Sequence, residues 1–567
     1  MATYSEAHIC QCLSRLATVS RNSVVTIYGE HRKPGMQFVE EVMGLAHGLV
    51  QLGINPGDVI SISALNSDSY LEWMLAITYV GGIAAPLNYR WSLEEAKSAM
   101  EVARPVLLVT DSSRGFWHSK FQIDDVPLLR WHVLMDMSVK ANSNSTRVFA
   151  AELLKQPSGR FATLDYLWAP ERAAIICFTS GTTGRPKGAI ISHSALVVQS
   201  LAKIAVVRYH EDDVYLHTAP MCHIGGISSA LAMLMAGGCH VILPKFEASL
   251  AIESIREHKV TSLITVPTMM ADLISFNRMN QTYATFESVK KILNGGGGLS
   301  VDLIKQATKI FPRATLLSAY GMTEACSSMT FMTLYDPNKE IHHLQPHDEY
   351  DQQKSNRNNH QGGICVGKPA PHVELKVASA EESCNAGRIL MRGPHVMLRY
   401  WGQSPSKHLN PVCEGWIDTG DIGQVDDHGN LWLIGRAKDR IKSGGENIYP
   451  DEVEAVISQH PGISRIVVVG IPDSRLSEMV TACVRLKDGW QWADFVGVNH
   501  STGDQSQCLS SEILRDFCRQ KNLTGFKIPR RFVLWKNDFP LTTTGKLKRD
   551  KVRAEFVSHT QFLSSKL

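Results

Sequence analysis

A chain of 567 residues that is 44% apolar and 20% charged has globular composition, which excludes a mainly disordered or collagen-like protein and provides for about three to five structural units. Lysine and arginine number 58 against 55 aspartates and glutamates, a net charge of +3. Spread over this length, that charge leaves no electrostatic footprint for nucleic acid or a membrane surface.

The opening run MATYSEAHICQC has no charged segment followed by an apolar one, so no secretory signal is expected, and Glu6 argues against a transit peptide. The 12 cysteines are scattered without a CxxC pair and read as reduced, mostly buried thiols. Phe38–Leu52 is patterned as an amphipathic helix, Asp58–Ser63 as a strand, Tyr70–Val80 as a helix stopped by Gly81–Gly82, and Ala84–Leu87 as a strand. This alternation predicts an α/β fold, and the apolar run Ala173–Phe178 continues it. Between Asp213 and Lys245 there is no Asp, Glu, Lys or Arg. Pro220, Gly225–Gly226, Gly237–Gly238 and three histidines interrupt that stretch, so it reads as a buried helix over roughly Ser228–Ala236 and a strand His240–Leu243, not a membrane span.

A helix then precedes the strand Ser262–Val266. The polar tract His342–Gly363 reads as a solvated loop insertion, because His342, His343, His347 and His360 have no regular metal-ligand spacing. Lys487–Ser511 reads as a second surface insertion. Beyond Gly435 the pattern becomes compact: helix Pro450–Gln459, strands Ile466–Gly470 and Val480–Leu486, helix Ser511–Lys521, strand Arg531–Trp535. That predicts a separate small α+β domain of about 130 residues.

The most informative segment is Thr179-Ser-Gly-Thr-Thr-Gly-Arg-Pro-Lys-Gly188, directly after a buried strand. Its glycines allow close backbone approach to a ligand. The hydroxyls of Thr179, Ser180, Thr182 and Thr183, with Lys187, supply donors and one positive charge for a polyphosphate. The spacing of Gly181, Gly184 and Lys187 is not that of a Walker A loop.

This loop resembles the signature of the adenylate-forming superfamily, which includes acyl-CoA ligases, luciferases and peptide-synthetase adenylation domains. Further matches follow in family order: Pro220–Gly226, Asn294–Gly298, Ala319–Ala325, Gly415–Asp421, Gly435–Glu446 and Pro540–Lys546. The resemblance spans nearly the whole chain. It implies a large N-terminal domain of layered sheets and helices, 1–435, a hinge at 436–438 and a small mobile C-terminal domain, 439–567.

It also implies ATP, Mg²⁺ and coenzyme A, with a small carboxylic acid as the other substrate. By resemblance, Thr179–Gly184 and Lys187 hold phosphates, Thr323 contacts the α-phosphate and Glu324 holds Mg²⁺. Gly295, Gly296, Gly297 and Gly298 lay backbone against adenine, while Ala319, Tyr320 and Gly321 flank it with Tyr320 stacking. Asp421 and Arg436 take the ribose. Lys546 bridges the carboxylate and the α-phosphate. Lys438 is the hinge, and Ser443, Gly444 and Gly445 face the thiol of the second step. Each residue has a plainer reading: Glu324 as a helix-start carboxylate, Asp421 as a turn residue, Tyr320 as core, Lys546 as a solvated lysine.

The acid pocket of the family maps to His223, also counted as catalytic, with Ile224, Gly225, Gly226, Ser228, Gly295, Ala319, Met322 and Ser327. Small and polar residues there argue for a compact polar or aromatic acid over a long-chain one. His8–Leu13, Ala85–Glu95, Leu293–Leu299 and Ala319–Leu334 resemble the branch of plant ligases that activates 2-succinylbenzoate for phylloquinone synthesis. Ser228, Thr268 and Ser327 are candidates for its second carboxylate, and each reads equally well as an ordinary packing hydroxyl. A ligase for another aromatic or short acid, resembling the 4-coumarate–CoA ligases, is the alternative. Further off stand a luciferase-like oxygenase, a carrier-protein acylating module and a non-catalytic nucleotide binder. The ending Ser565-Lys566-Leu567 reads as an address for the peroxisomal import receptor, alongside an additional plastid pool.

Overall fold

The computed structural model describes residues 7–114, 121–136, 147–155, 166–179, 186–279, 284–339, 363–379, 386–403, 415–443, 446–473, 475–493, 507–521, 523, 525–541 and 547–564. The chain forms two compact units. The larger comprises Met1–Asn356, Val366–Leu375 and Met391–Ile417; the smaller comprises Arg357–Cys365, Lys376–Leu390 and Asp418–Leu567. Residues 418–435 therefore pack with the C-terminal residues, whereas the division expected from the family motifs lay at 435–438.

The larger unit is α/β and holds two sheets. One runs in the order His31–Pro34, Val24–Tyr28, Cys239–Ile242, Val214–His217, Ser262–Thr265, Lys291–Asn294, Thr315–Met322, Ser327–Tyr335. From Val24–Tyr28 through Thr315–Met322 neighbouring strands are parallel; Ser327–Tyr335 returns antiparallel. Parallel strands place their carboxyl ends on one edge, where α/β sheets bind ligands. Asn294 lies opposite Ser318 at that edge, so the glycine run and the segment Ala319–Met322 emerge side by side.

The second sheet runs Arg399–Tyr400, Lys187–Ser192, Ala173–Thr179, Ile83–Pro86, Val59–Ser63, Leu107–Thr110, Trp131–Leu134, Val148–Ala150. Its central strands are buried on both faces, which is why they read as continuous apolar runs without alternation. The main core joins this sheet to the helices Gly35–Gln51, Asp68–Tyr79, His193–Lys203 and Ile224–Ala236. Serines start several of these and neighbouring helices. Ser67 accepts from Tyr70 N, Ser192 from Ala195 N, and Ser92 forms a reciprocal capping box with Glu95.

The charge-free stretch is a buried helix and strand, as its glycines and histidines predicted, but the helix begins at Ile224 and takes in both glycines. A Cβ on Gly226 would lie 2.2 Å from Pro220 O, so glycine lets the first turn fold back on the preceding chain. Gly237, at φ +86°, ends the helix with its N–H on Met233 O. Among the described residues no helix is long and apolar enough to cross a membrane, and no disulfide forms.

In the smaller unit, Ile463–Asp473 and Ser477–Leu486 make a long antiparallel pair, with Arg531–Leu534 parallel to the second strand. Helices Pro450–Ile457 and Ser511–Gln520 cover its core. The expected surface insertion Lys487–Ser511 is not wholly irregular: Trp490–Trp492 pairs in parallel with Gln507–Leu509. Trp490 packs edge-on to His460, with ring centroids 5.4 Å apart, an anchor that the weak local pattern did not disclose. Of the tract His342–Gly363, only Gly363 lies within the described residues.

Candidate active site

The strands that flank the expected phosphate loop pair with each other. Ala173–Thr179 and Lys187–Ser192 form an antiparallel hairpin in which Thr179 lies opposite Lys187 and Phe178 opposite Gly188. Ser180, Gly181, Thr182, Thr183 and Gly184 lie outside the described residues. Gly188 sits where a Cβ would fall 2.6 Å from Ile176 Cγ2, so the stem strands approach closely just behind the loop.

A second segment is zipped onto the same stem. Tyr400 pairs with Ala189 and Arg399 with Ile190, and Trp401 N donates to Gly188 O at 2.7 Å. This carries the Tyr400 ring to Lys187, whose Nζ stands 5.5 Å from the ring centroid. The Tyr400 hydroxyl donates to Glu324 Oε1 at 2.7 Å. Burial, reinforced by the Glu324 carboxylate, pushes the phenol well above its ordinary value, so it stays protonated and remains a donor. Met397 N also donates to Glu324 O at 2.9 Å. Lys187 and Glu324, both expected from the sequence, thus meet around Tyr400, which was not. The run Arg399-Tyr-Trp-Gly402 has no chemical pattern of its own to mark it.

Thr323–Ala325 form a short 3₁₀ turn following Met322, with Thr323 and Glu324 partly buried. Gly295 N donates to Thr265 O at 2.9 Å, and Asn294 Nδ2 donates to Gly297 O at 2.7 Å, fixing the glycine run to the strand ends. Gly296, Gly297 and Gly298 are exposed, and Gly296 holds φ +71°. Ala319 and Tyr320 lie opposite Phe331 and Thr330. Gly321 crosses Ser327 so closely that a Cβ would fall 1.6 Å from its carbonyl oxygen.

Where the acid was expected, His223 stands at the N-cap position of the helix Ile224–Ala236 without a side-chain capping bond, and its Nε2 lies 3.5 Å from Asn88 Nδ2. Gly225 faces open space, while Gly226 is buried. Met322 lies opposite Ser327, and both are partly buried. Ser228 is fully buried, its hydroxyl accepting from Lys203 Nζ at 2.7 Å. Lys203 was not singled out from the sequence, although it is the one charged residue between His193 and Arg208 in an otherwise helical, apolar run.

The remaining expected residues lie in the smaller unit. Asp421 and Arg436 are directly opposite in a hairpin, with Arg436 Nε 3.3 Å from Asp421 Oδ1. Lys438 is exposed in the turn Ala437–Asp439. Ser443 pairs with Glu446, so the intervening Gly444–Gly445, outside the described residues, joins two paired strands. Lys546 and Ser565–Leu567 also lie outside the described residues.

The sheet edge, the loop stems and the ordered motifs describe an adenylate-forming enzyme, and comparison with known proteins agrees. The profile of the AMP-binding enzyme family matches residues 14–401, and that of the AMP-binding enzyme C-terminal domain matches 452–546. The chain belongs to the AMP-binding enzyme family. It is 55% identical, across 573 aligned positions and the full length of both chains, to the chloroplastic/peroxisomal 2-succinylbenzoate–CoA ligase of Arabidopsis thaliana. It is 29% identical to the indoleacetate–CoA ligase of Aromatoleum aromaticum over 92% of each chain. Among solved structures it is similar to the o-succinylbenzoate CoA synthetase of Bacillus subtilis in complex with its acyl-adenylate intermediate. That likeness has a TM-score of 0.72 at 25% identity and covers 96% of this chain and 97% of the other.

Proposed function

We propose that the protein is an AMP-forming acid–thiol ligase that converts 2-succinylbenzoate, ATP and coenzyme A into 2-succinylbenzoyl-CoA, AMP and diphosphate. The observation that carries this reading is the 55% identity along the whole of both chains to a ligase of that name. The product is the thioester precursor of the naphthoquinone ring of phylloquinone.

In the first step a carboxylate oxygen attacks the α-phosphorus of ATP and diphosphate leaves. In the second, a thiol sulfur attacks the acyl carbonyl, and the bond to AMP breaks. The first step brings two anions together, so charge neutralisation is the main task. Mg²⁺, when bound, supplies part of that charge. Glu324 suits it: Oε1 is fixed by Tyr400, and Oε2 accepts no hydrogen bond among the described residues, leaving a pre-oriented oxygen for a hard cation.

The loop Thr179–Gly184 and Lys187 hold the phosphates, with Thr323 at the α-phosphate. The exposed backbone of Gly296–Gly298 supports adenine beside Tyr320. Asp421 accepts from the ribose hydroxyls and Arg436 contacts the same sugar. His223, Gly225, Met322 and Ser327 line the acid. Lys546 bridges the carboxylate and the α-phosphate as a point cation on a flexible stem. Lys438 is the hinge about which 439–567 turns between steps, and Ser443–Gly445 then face the thiol. Ser565–Leu567 address the protein to peroxisomes, beside a plastid pool.

The test is diphosphate release by purified protein with ATP and Mg²⁺, comparing 2-succinylbenzoate, 4-coumarate, benzoate and a medium-chain fatty acid, each with and without coenzyme A. Selective turnover of 2-succinylbenzoate with thioester formation is expected, abolished in Lys546→Ala. Preference for another acid would refute the substrate, and full adenylation by Lys546→Ala would refute the lysine's role. For targeting, a fluorescent fusion with a free C-terminus should lose its punctate peroxisomal signal when Ser565–Leu567 are deleted.

A further inference from the structure

Lys203 is the last residue of the helix His193–Lys203, where the backbone passes into a wider π turn, Ile204–Arg208. Turns of that kind inside helices are common at functional sites. Its side chain is fully buried. The ammonium donates to three hydroxyls, Ser228 at 2.7 Å, Ser229 at 2.9 Å and Ser327 at 3.3 Å, which matches its three donors. Among the described residues no carboxylate pairs with it. A buried charge satisfied only by neutral oxygens is an expensive arrangement, since hydrogen bonds are made but the charge stays uncompensated.

The four residues come together from three separate elements. Ser228 and Ser229 stand on the helix Ile224–Ala236, and their hydroxyls also bond Gly225 O at 3.4 and 2.8 Å. Gly225 itself faces open space. Ser327 is only partly buried and opens the return strand opposite Met322. It holds φ +102°, and the preceding Cys326 holds +52°, conformations that residues with side chains rarely adopt and that persist where the surroundings impose them. The cluster therefore includes two residues expected at the acid, Ser228 and Ser327, and of its three hydroxyl-bearing residues only Ser327 is partly exposed.

We infer that Lys203 is the counter-charge for the carboxylate of the acid that does not react, acting through the Ser327 hydroxyl, which accepts from the ammonium and donates to the bound anion. This rests on the reading of the substrate as an aromatic acid with two carboxylates. Lys203 is a positioning residue in this scheme, and Ser327 carries the contact. Burial pushes the ammonium down to about 7, so the free protein holds a partly discharged lysine whose proton an incoming anion would retain. The Cys326 thiol beside it and the nearby Tyr215 phenol are both pushed upward by burial and stay neutral, leaving the lysine as the group that titrates.

The test compares 2-succinylbenzoate with 3-benzoylpropionate, which keeps the chain carboxylate and lacks the one on the ring, by diphosphate release in wild type, Lys203→Met and Ser327→Ala. The wild type should favour the diacid. In Lys203→Met the ratio of kcat/KM for diacid over monoacid should fall about 10- to 100-fold, mostly through KM, the size expected for losing a charge-assisted hydrogen bond. Ser327→Ala, which keeps the lysine in place, should lower the same ratio, and it decides the matter if Lys203→Met does not fold. For wild type, KM for the diacid should rise above about pH 7 more steeply than KM for the monoacid. An unchanged ratio in the variants, with wild type favouring the diacid, would overturn the role of Lys203 and leave the substrate standing. A wild type that turns over no diacid would overturn the substrate reading, and this inference with it.

Discussion

Replacing Tyr400 by phenylalanine tests whether the geometry around Glu324 matters for catalysis. The change removes one hydroxyl whose oxygen is 2.7 Å from Glu324 Oε1, while the ring that faces Lys187 stays. A hydrogen bond to a charged group contributes about 1.5–3 kcal/mol. Glu324 is partly buried, so water replaces the donor incompletely. If the bond is needed to aim the carboxylate in the transition state, kcat/KM for ATP falls about 10- to 150-fold. The assay is diphosphate release across a titration of Mg²⁺ at fixed acid, with Lys187→Met run alongside. Tyr400→Phe should need more Mg²⁺ for half-maximal rate, whereas Lys187→Met should weaken ATP without that shift. If Tyr400→Phe leaves both kcat/KM and the Mg²⁺ dependence unchanged, Tyr400 does not orient Glu324.

Three further outcomes follow from the structure. Gly321→Ala places a methyl group 1.6 Å from Ser327 O, so two paired strands must part; overpacking of this kind costs about 1–3 kcal/mol, and adenylation should fall at least tenfold in protein that still folds. Lys33 Nζ pairs with Asp68 and Glu72, and Glu72 is fully buried, so Lys33→Met should cost about 3–5 kcal/mol and lower the thermal midpoint by several degrees. Lys203 has a folded pKa of about 7 against an ordinary 10.5, so between those values the unfolded chain binds the extra proton and stability rises with pH. The thermal midpoint of ligand-free wild type relative to Lys203→Met should accordingly climb from pH 7 to pH 9; a flat difference would show that the lysine is not discharged in the fold.

Much of the molecule is legible along the chain because the relevant signals are local. Ala173–Phe178 is apolar throughout because its strand is covered on both faces, and the Gly-rich run that follows it marks the end of that strand in the sequence itself. The ordered motifs carried the family, and the helices Asp68–Tyr79 and Pro450–Ile457 fell within a few residues of their expected bounds. Local signals also misled. Gly225–Gly226 read as a break, yet they sit inside a helix, because the close approach of Gly226 to Pro220 O is a tertiary constraint.

What only the tertiary structure decided is which distant groups share one environment. Tyr400 reaches Glu324 across 76 positions because Arg399–Tyr400 docks on the strand Lys187–Ser192 in a particular register. Lys203 meets Ser327 across 124 positions because a helix end, a second helix and a strand turn converge there. Neither pairing follows from periodicity or motif spacing, since strand register and helix packing bring together residues that no window along the chain contains. The sequence by itself determined the family, the loop and the residue types available for chemistry; the packing decided which oxygen of Glu324 is held and that the buried ammonium of Lys203 meets three hydroxyls.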